Sequence, residues 1–434
     1  MADRDAVAHL LRRATFGPTA AEVDAAERSG LPATLDRLLA PTGDDRGAAA
    51  TAPPSLGADP YADLDKGASR EQRQQAQRER TEQVRLLSQW WLDRMVAADH
   101  QLSEKLVFFW HGHWATSVRK VKSAQLMLAQ LDTLRRYGRG EFGELVRAMV
   151  RDPALILWLD GQKNTRSAPN ENLARELMEL FTLGIGNYTE ADVRAGARAL
   201  TGWQVERGAA TARFVPRRHD PGAKTILGQT AAFDADSYAR LLAGRPEAAS
   251  FVAARLWFRF AGKDTPVPAQ LAGAGGGTLG VLRALFTHPD FARTRGQLVK
   301  QPVEWLVGAM RQLGIRPADL PDEQRRELAN RLAGMDQVPL RPPSVGGWPA
   351  GESWLTTSSL QARMRLATLL AGSAAPAVRQ RLAAAPQAGR PDALARLLVV
   401  DAWTARTRAA LTPLAGDPER LIAAGLISPE YTVC

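Results

Sequence analysis

At 434 residues, with 45% hydrophobic and 24% charged side chains, the chain has the composition of a folded, core-forming protein and not of a disordered or fibrous one. Its net charge of +10 comes mainly from arginines interspersed with Asp and Glu, in short pairs such as Arg12-Arg13, Arg135-Arg136 and Arg217-Arg218; without a basic tract or a finger, homeodomain or RNA-binding signature, this argues against nucleic acid as a partner. The single cysteine, Cys434, permits no internal disulfide, and no run approaches the roughly 20 apolar residues that a membrane span needs.

Residues 4–14 and 19–39 read as short helices, and 1–40 is expected to pack on the core as an N-terminal helical unit. Residues 41–69, rich in Pro, Gly, Ala and Asp without a period, read as a flexible linker or surface excursion. Over 70–98 a helix is expected with a polar, solvent-projecting first half and a second half that turns Leu87, Trp91 and Met95 inward. Ser103 is placed to cap the next helix, "EKLVFFW", which Gly112 would end. Helices near 122–137, 141–151, 170–183 and 189–201 follow, the last with Thr189 and Asp192 at capping-box spacing.

"ARFV" and "KTIL", flanking the turn sequence "PRRHDPGA", predict a hairpin over 212–227. Helices at 236–243, 246–260, 278–287, 302–313, 322–334 and 355–371 complete a main helical domain over 70–372, and 373–434 is expected to be a C-terminal helical extension. The alternation of strands and helices that a doubly wound sheet requires is missing. The expected fold is mainly α: a large multi-helix, bundle-like single domain with one small β-hairpin.

"GGGTLG" places Gly275, Gly277 and Gly280 in GxGxxG spacing, but no strand precedes it and no βαβ unit surrounds it. The chain has no GxxxxGK, GxSxG, HExxH or CxxC motif. The twin arginine of "LLRRATFG" is followed by a capped amphipathic pattern and not by an apolar segment, so as written the chain has no signal peptide and is expected to be cytoplasmic.

Three stretches concentrate residues able to do chemistry. In "FWHGHW" a helix ending at Gly112 would let His111 and His113 face one cavity; the alternative is a pair of histidines wedged in an aromatic core. In "APNENLARELMELFTLG" Asn172, Glu176 and Glu179 follow at i, i+4 and i+7 along the border of an apolar stripe. Arg175 accounts for Glu171 and Glu179 at helical spacing and leaves Glu176 in need of a cation, a metal or a proton. In "RRHD" the hairpin turn carries His219 and Asp220, the latter also suited to ordinary turn chemistry before Pro-Gly.

At these residues the sequence resembles the bacterial family catalogued as "domain of unknown function 1800". The resemblance runs from "HLLRRATFGPT" through "EKLVFFWHGHWATS", "NENLARELMELFTLGIGNYTEADVRAGARALTGW" and "RRHDPGAKTILGQ" to "KQPVEWLVGAMRQLG", "PPSVGGWPAGESWLTTSSLQARMRLA" and "SPEY", nearly the whole chain. It implies that the motif residues belong together: His111, His113, Asn170, Glu171, Asn172, Arg175, Glu176, Glu179, His219, Asp220 and Lys224. Relatives often carry export signals and are encoded beside an alkaline-phosphatase-like family, which implies a protein partner of that family. This chain departs in lacking a leader as written and in having Gly112 where many relatives have Asn.

The leading expectation is a metal-dependent enzyme, hydrolase or oxidoreductase, acting on an unidentified small-molecule or anionic substrate. His111, His113 and His219, joined by Glu176 or Asp220, would hold zinc, iron or manganese. Glu176 and Asp220 would also act catalytically, and Arg175 and Lys224 would hold an anionic group or a developing negative charge. In a metal-free variant Glu176 and His113 form an acid/base pair. The alternative is a non-catalytic binding or assembly protein whose His, Glu, Asn and Arg motifs form a buried structural network; a weaker one is a haem protein with an axial histidine.

Overall fold

The computed structural model describes residues 4–65, 67–262 and 264–434. Helices form where the sequence supplies periodic apolar positions and a cap. Arg4–Ala14, Ala20–Ser29 and Leu31–Leu39 open the fold, and at Thr19 the box is reciprocal, the Glu22 carboxylate accepting from Thr19 N at 2.7 Å and the Thr19 hydroxyl from Glu22 N at 3.3 Å. Thr189 and Asp192 do the same for Glu190–Ala199. Leu10 and Leu35 near one end and Leu421 and Tyr431 near the other belong to one large hydrophobic cluster, with a smaller one formed by Val7, Ala8, Leu11, Val23, Ala26 and Val399 beside it.

Residues 41–65 lie against the long helix Arg70–Ala97. Gln83 donates to the carbonyls of Leu56 and Ala58, the Trp90 indole to that of Thr51, and buried Asp59 pairs with Arg207 at 2.8 Å. The first half of that helix is solvated, while Leu87, Trp91 and Met95 in its second half are fully buried. Among the described residues no helix is long and apolar enough to cross a membrane.

Among the described residues the β content is two hairpins and not the one expected. Trp203–Glu206 pairs with Thr211–Phe214, and Lys224–Ile226 with Gln229–Ala231, both antiparallel. "ARFV" therefore turns back on the strand before it and "KTIL" on the strand after it. The physical reason is the turn at Leu227-Gly228, where both residues have positive φ, 51° and 80°, the backbone that a tight two-residue hairpin loop requires. "PRRHDPGA" is left as the connection between the two hairpins.

At the centre lies the helix Gln101–His113, buried on nearly every face. It begins before Ser103, whose hydroxyl is buried without a partner among the described residues; the Asp45 carboxylate accepts from the amides of Asp99 and His100, and Gln101 donates to the carbonyls of Met95 and Ala98. Its polar side chains each tie it to another segment. Glu104 accepts from the Trp91 indole at 3.0 Å and from Arg94 and Arg135. Lys105 donates to the Arg13 and Thr15 carbonyls, both at 2.6 Å, and pairs with Glu304 at 2.7 Å. Glu304, on the helix Pro302–Leu313, also binds Arg259 of Pro246–Phe260 at 2.9 Å. The two cations hold its carboxyl far below the usual range against the opposing effect of burial.

Breaking such a buried pair from one side leaves a charge and two carbonyls unmatched. Lys105→Met is therefore expected to lower unfolding free energy by about 3–5 kcal/mol in urea titration, whereas Arg175→Ala at an exposed pair changes it by no more than about 1 kcal/mol.

Candidate functional site

The histidines of "FWHGHW" stand two residues apart on one unbroken helix, so their side chains leave it about 200° apart. Gly112 does not end the helix. It is where a loop crosses, so closely that a Cβ on Gly347 would lie 2.4 Å from the Gly112 carbonyl oxygen. The expected common cavity for both imidazoles is consequently not formed.

His111 is fully buried against Trp91 and Trp348, with ring centroids 5.2 and 5.5 Å away, and neither ring nitrogen has a hydrogen-bond partner among the described residues. Burial depresses it to about 3, so the ring is neutral. His113 points the other way and donates its Nε2–H to the Phe181 carbonyl at 2.9 Å. That carbonyl lies in the last turn of its helix, where intrahelical partners run out, so His113 is a cap. The bond fixes the tautomer and leaves Nδ1 buried as an unpartnered acceptor. Burial, then the charge of Arg255, depress His113 to about 3.

The remaining expected site residues are committed to local frames. His219 Nδ1 lies 3.1 Å from both the carbonyl and the hydroxyl oxygen of Thr201, with its ring edge-on to Phe214. Asp220 binds Arg198 at 2.6 Å, which holds its carboxyl below the usual range, and its other oxygen accepts from Gly222 N. Lys224 is buried, its ammonium wrapped by the Asp220 and Gly222 carbonyls at 2.6 and 2.8 Å. Arg175 binds Glu190 and Glu171 at 2.6 and 3.0 Å, which raises its pKa. "RRHDPGAK" is thus a loop clamp, and "NENLARE" an ion-paired helix start.

Glu176 is half-buried with no hydrogen-bond partner among the described residues; burial and neighbouring Glu179 raise its carboxyl above the usual range. Here the helix changes character, from α over Asn172–Glu176 to π over Leu177–Thr182, with the Thr182 hydroxyl donating to the Leu177 carbonyl across the widened turn at 2.5 Å. The widened turn shifts Glu179 off the expected i, i+4, i+7 row. Its carboxylate accepts from the Tyr188 hydroxyl at 2.7 Å and lines a cleft.

That cleft, about 710 Å³, opens between the π-helical segment, the loop after it and the helix Pro246–Phe260, with His113, Glu179, Ile185, Glu247, Phe251 and Arg255 among its walls. Behind it lies a chamber of about 90 Å³ walled by Phe108, Phe109, Phe258 and Trp348. The two share His113, Arg255 and Gly346. Arg255 at this junction is half-buried and has neither hydrogen bond nor ion pair among the described residues, and burial lowers its pKa.

Residues 9–433 match the family described as protein of unknown function, DUF1800. The chain belongs to this family. No curated protein and no solved structure matches it. In this DUF1800 member the shared motifs are mostly frame, and the metal-dependent enzyme expected from them is not what they build. Among the described residues no group of three or more His, Cys, Asp or Glu side chains is arranged to hold a metal ion. His111, His113 and His219 sit in three separate environments and Glu176 joins none of them. The zinc, iron or manganese site falls, and with it the metal-dependent hydrolase or oxidoreductase. The metal-free variant falls too, since His113 Nε2 is committed to Phe181 and no hydrogen bond joins it to Glu176.

Sequence reasoning missed Arg255, and with it the junction of the two chambers. The signal available was "SFVAARLWFRF", an apolar helix carrying Arg255 and Arg259 one turn apart. Two cations on one side of a buried helix each require an explanation, and only Arg259 finds one, in Glu304.

His9, His111 and His113 are all held near 3, while the unfolded chain protonates them near 6.5. Between these values the unfolded state binds the extra protons, so stability is full above about pH 6.5 and falls as pH drops toward 3. Buried Asp152, raised to about 7, acts in the opposite sense and offsets about one histidine. His111→Leu is expected to leave melting temperature at pH 7.5 unchanged or higher, because two unsatisfied nitrogens are removed. In denaturant titrations from pH 6 to 4 it is expected to lose stability less steeply than wild type, by roughly 1.4 kcal/mol per pH unit.

Proposed function

We propose that this protein is a non-catalytic binding protein in which the buried polar motifs form a rigid frame and the cleft at Arg255 takes an anionic ligand. One observation carries the reading: a half-buried arginine with neither hydrogen bond nor ion pair among the described residues, at the junction of two chambers. Removing a charge from water is costly unless an opposite charge meets it, and the planar fork of arginine suits an anion with two coplanar oxygens. The other cations first suspected of this role are already paired or wrapped: Arg175 by Glu190 and Glu171, Lys224 by backbone carbonyls.

Binding is favoured over chemistry by the state of the cleft's own titratable groups. His113 is neutral with Nε2 committed, Glu179 accepts from Tyr188, and Glu247 is paired with Arg245 at 3.2 Å. None forms the nucleophile–base or acid–base pair that general catalysis needs. The cleft is open to solvent and lined by both polar and apolar side chains.

At constant ionic strength, acetate in place of chloride is expected to raise the melting temperature of the wild-type protein and of Arg175→Gln more than that of Arg255→Gln. An anion-dependent rise that persists undiminished in Arg255→Gln would overturn the reading.

A further inference from the structure

We infer that the ligand of this cleft is an amphipathic monocarboxylate, its carboxylate on Arg255 and its hydrocarbon in the chamber formed by Phe108, Phe109, Phe258 and Trp348. This rests on the reading of the cleft as an anion site and adds the chemistry of the ligand.

Charge stoichiometry selects the head group. Arg255 is one cation; beside it His113 is neutral, and Glu179 and Glu247 place two carboxylates on the same cleft. A phosphate dianion would meet one guanidinium and the Glu179 carboxylate, Glu247 being paired with Arg245, whereas a carboxylate is matched in charge and in geometry by a single planar fork.

The inner chamber selects the body. Phe108 stacks on Trp348 with centroids 5.7 Å apart, Phe109 is buried, and Phe258, 37% exposed, closes one side. Of the polar residues at its edge, Arg259 binds Glu304 and Gln301 accepts from Gln337 at 2.7 Å, while the Trp348 indole N–H and His113 Nδ1 have no partner among the described residues. A small hydrated anion gains nothing from the aromatic walls. A hydrocarbon gains by leaving water.

A second feature at the outer rim agrees with this. Ile185 is 80% exposed, held between Gly184 and Gly186, both at positive φ (84° and 88°), and it lines the large cleft with Leu180 and Leu183. Left-handed backbone on both sides sets an isoleucine outward with no neighbour to cover it. A ligand chain longer than the inner chamber has this apolar wall to lie along.

The test is a titration of the full-length protein with straight-chain acids from acetate to hexanoate, with the corresponding alcohols and with inorganic phosphate. Binding is followed by the ¹H–¹⁵N resonance of the Trp348 indole, assigned with Trp348→Phe. Affinity is expected to rise about fourfold per methylene until the chamber is full, to fall at least tenfold for alcohols, and to be lost in Arg255→Gln and partly restored in Arg255→Lys. Phe258→Ser, at a 37% exposed wall, is expected to flatten the chain-length dependence.

If acetate and hexanoate bind equally, or phosphate binds more tightly than any acid, and binding still requires Arg255, the monocarboxylate assignment is wrong and the anion site stands. If acids and alcohols bind alike and survive Arg255→Gln, the anion site itself is wrong, and the assignment falls with it. If nothing binds, both fall.

Discussion

The carboxylate of Glu304, buried between Lys105 and Arg259, is the interaction on which the rest of the structure depends. Lys105 carries the constraint to the central helix and, through the Arg13 and Thr15 carbonyls, to the N-terminal segment. Arg259 carries it to the helix Pro246–Phe260. Three charges in an apolar core fix orientation more tightly than hydrophobic contact does, because each must be met at hydrogen-bond distance or remain unpaired at high cost. Once Arg259 is locked onto Glu304, Arg255 one turn earlier has no freedom to seek a carboxylate elsewhere. It is held at the junction of the two chambers, and its lack of a partner follows from the pairing that organises the core.

The polar motifs divide accordingly. Most are self-contained: Lys224 in its ring of carbonyls, Asp220 with Arg198, Arg175 between two glutamates, His113 over the Phe181 carbonyl. Each has a local partner, so each stabilises one loop or helix end. Buried groups that remain unsatisfied carry more information. His111, with two idle nitrogens in an aromatic box, is neutral and inaccessible. Arg255 is charged and faces a cavity. Only the second can act on something outside the protein.

The helical architecture was legible in the sequence because periodicity and capping are local: the 70–98, 189–201, 246–260 and 302–313 patterns need no knowledge of their neighbours. The failures have the same physical origin. Glycine usually ends a helix, but Gly112 stays helical where the Gly347 loop packs on it, a contact more than two hundred residues distant in sequence. "PRRHDPGA" is a good turn sequence, yet strand pairing was decided by the tighter turn at Leu227-Gly228, disguised by a leucine at positive φ. The π-helical segment moved Glu179 off its expected row. Arg255 was least legible of all, because what sets it apart, an unpaired side chain at the junction of two cavities, is a property of the folded molecule alone.

A cation held without a partner for the sake of a ligand is a burden to the empty protein, and this is the point at which the account is most exposed. The most direct measurement is the melting temperature of ligand-free Arg255→Met in low salt at pH 7.5, beside wild type. Arg255 as an unpaired site residue predicts an equal or higher melting temperature, since methionine fills the same space without a charge to desolvate. A fall of several degrees would contradict the account, because it would make Arg255 one more strut of the frame and leave the cleft without a cation kept for a ligand.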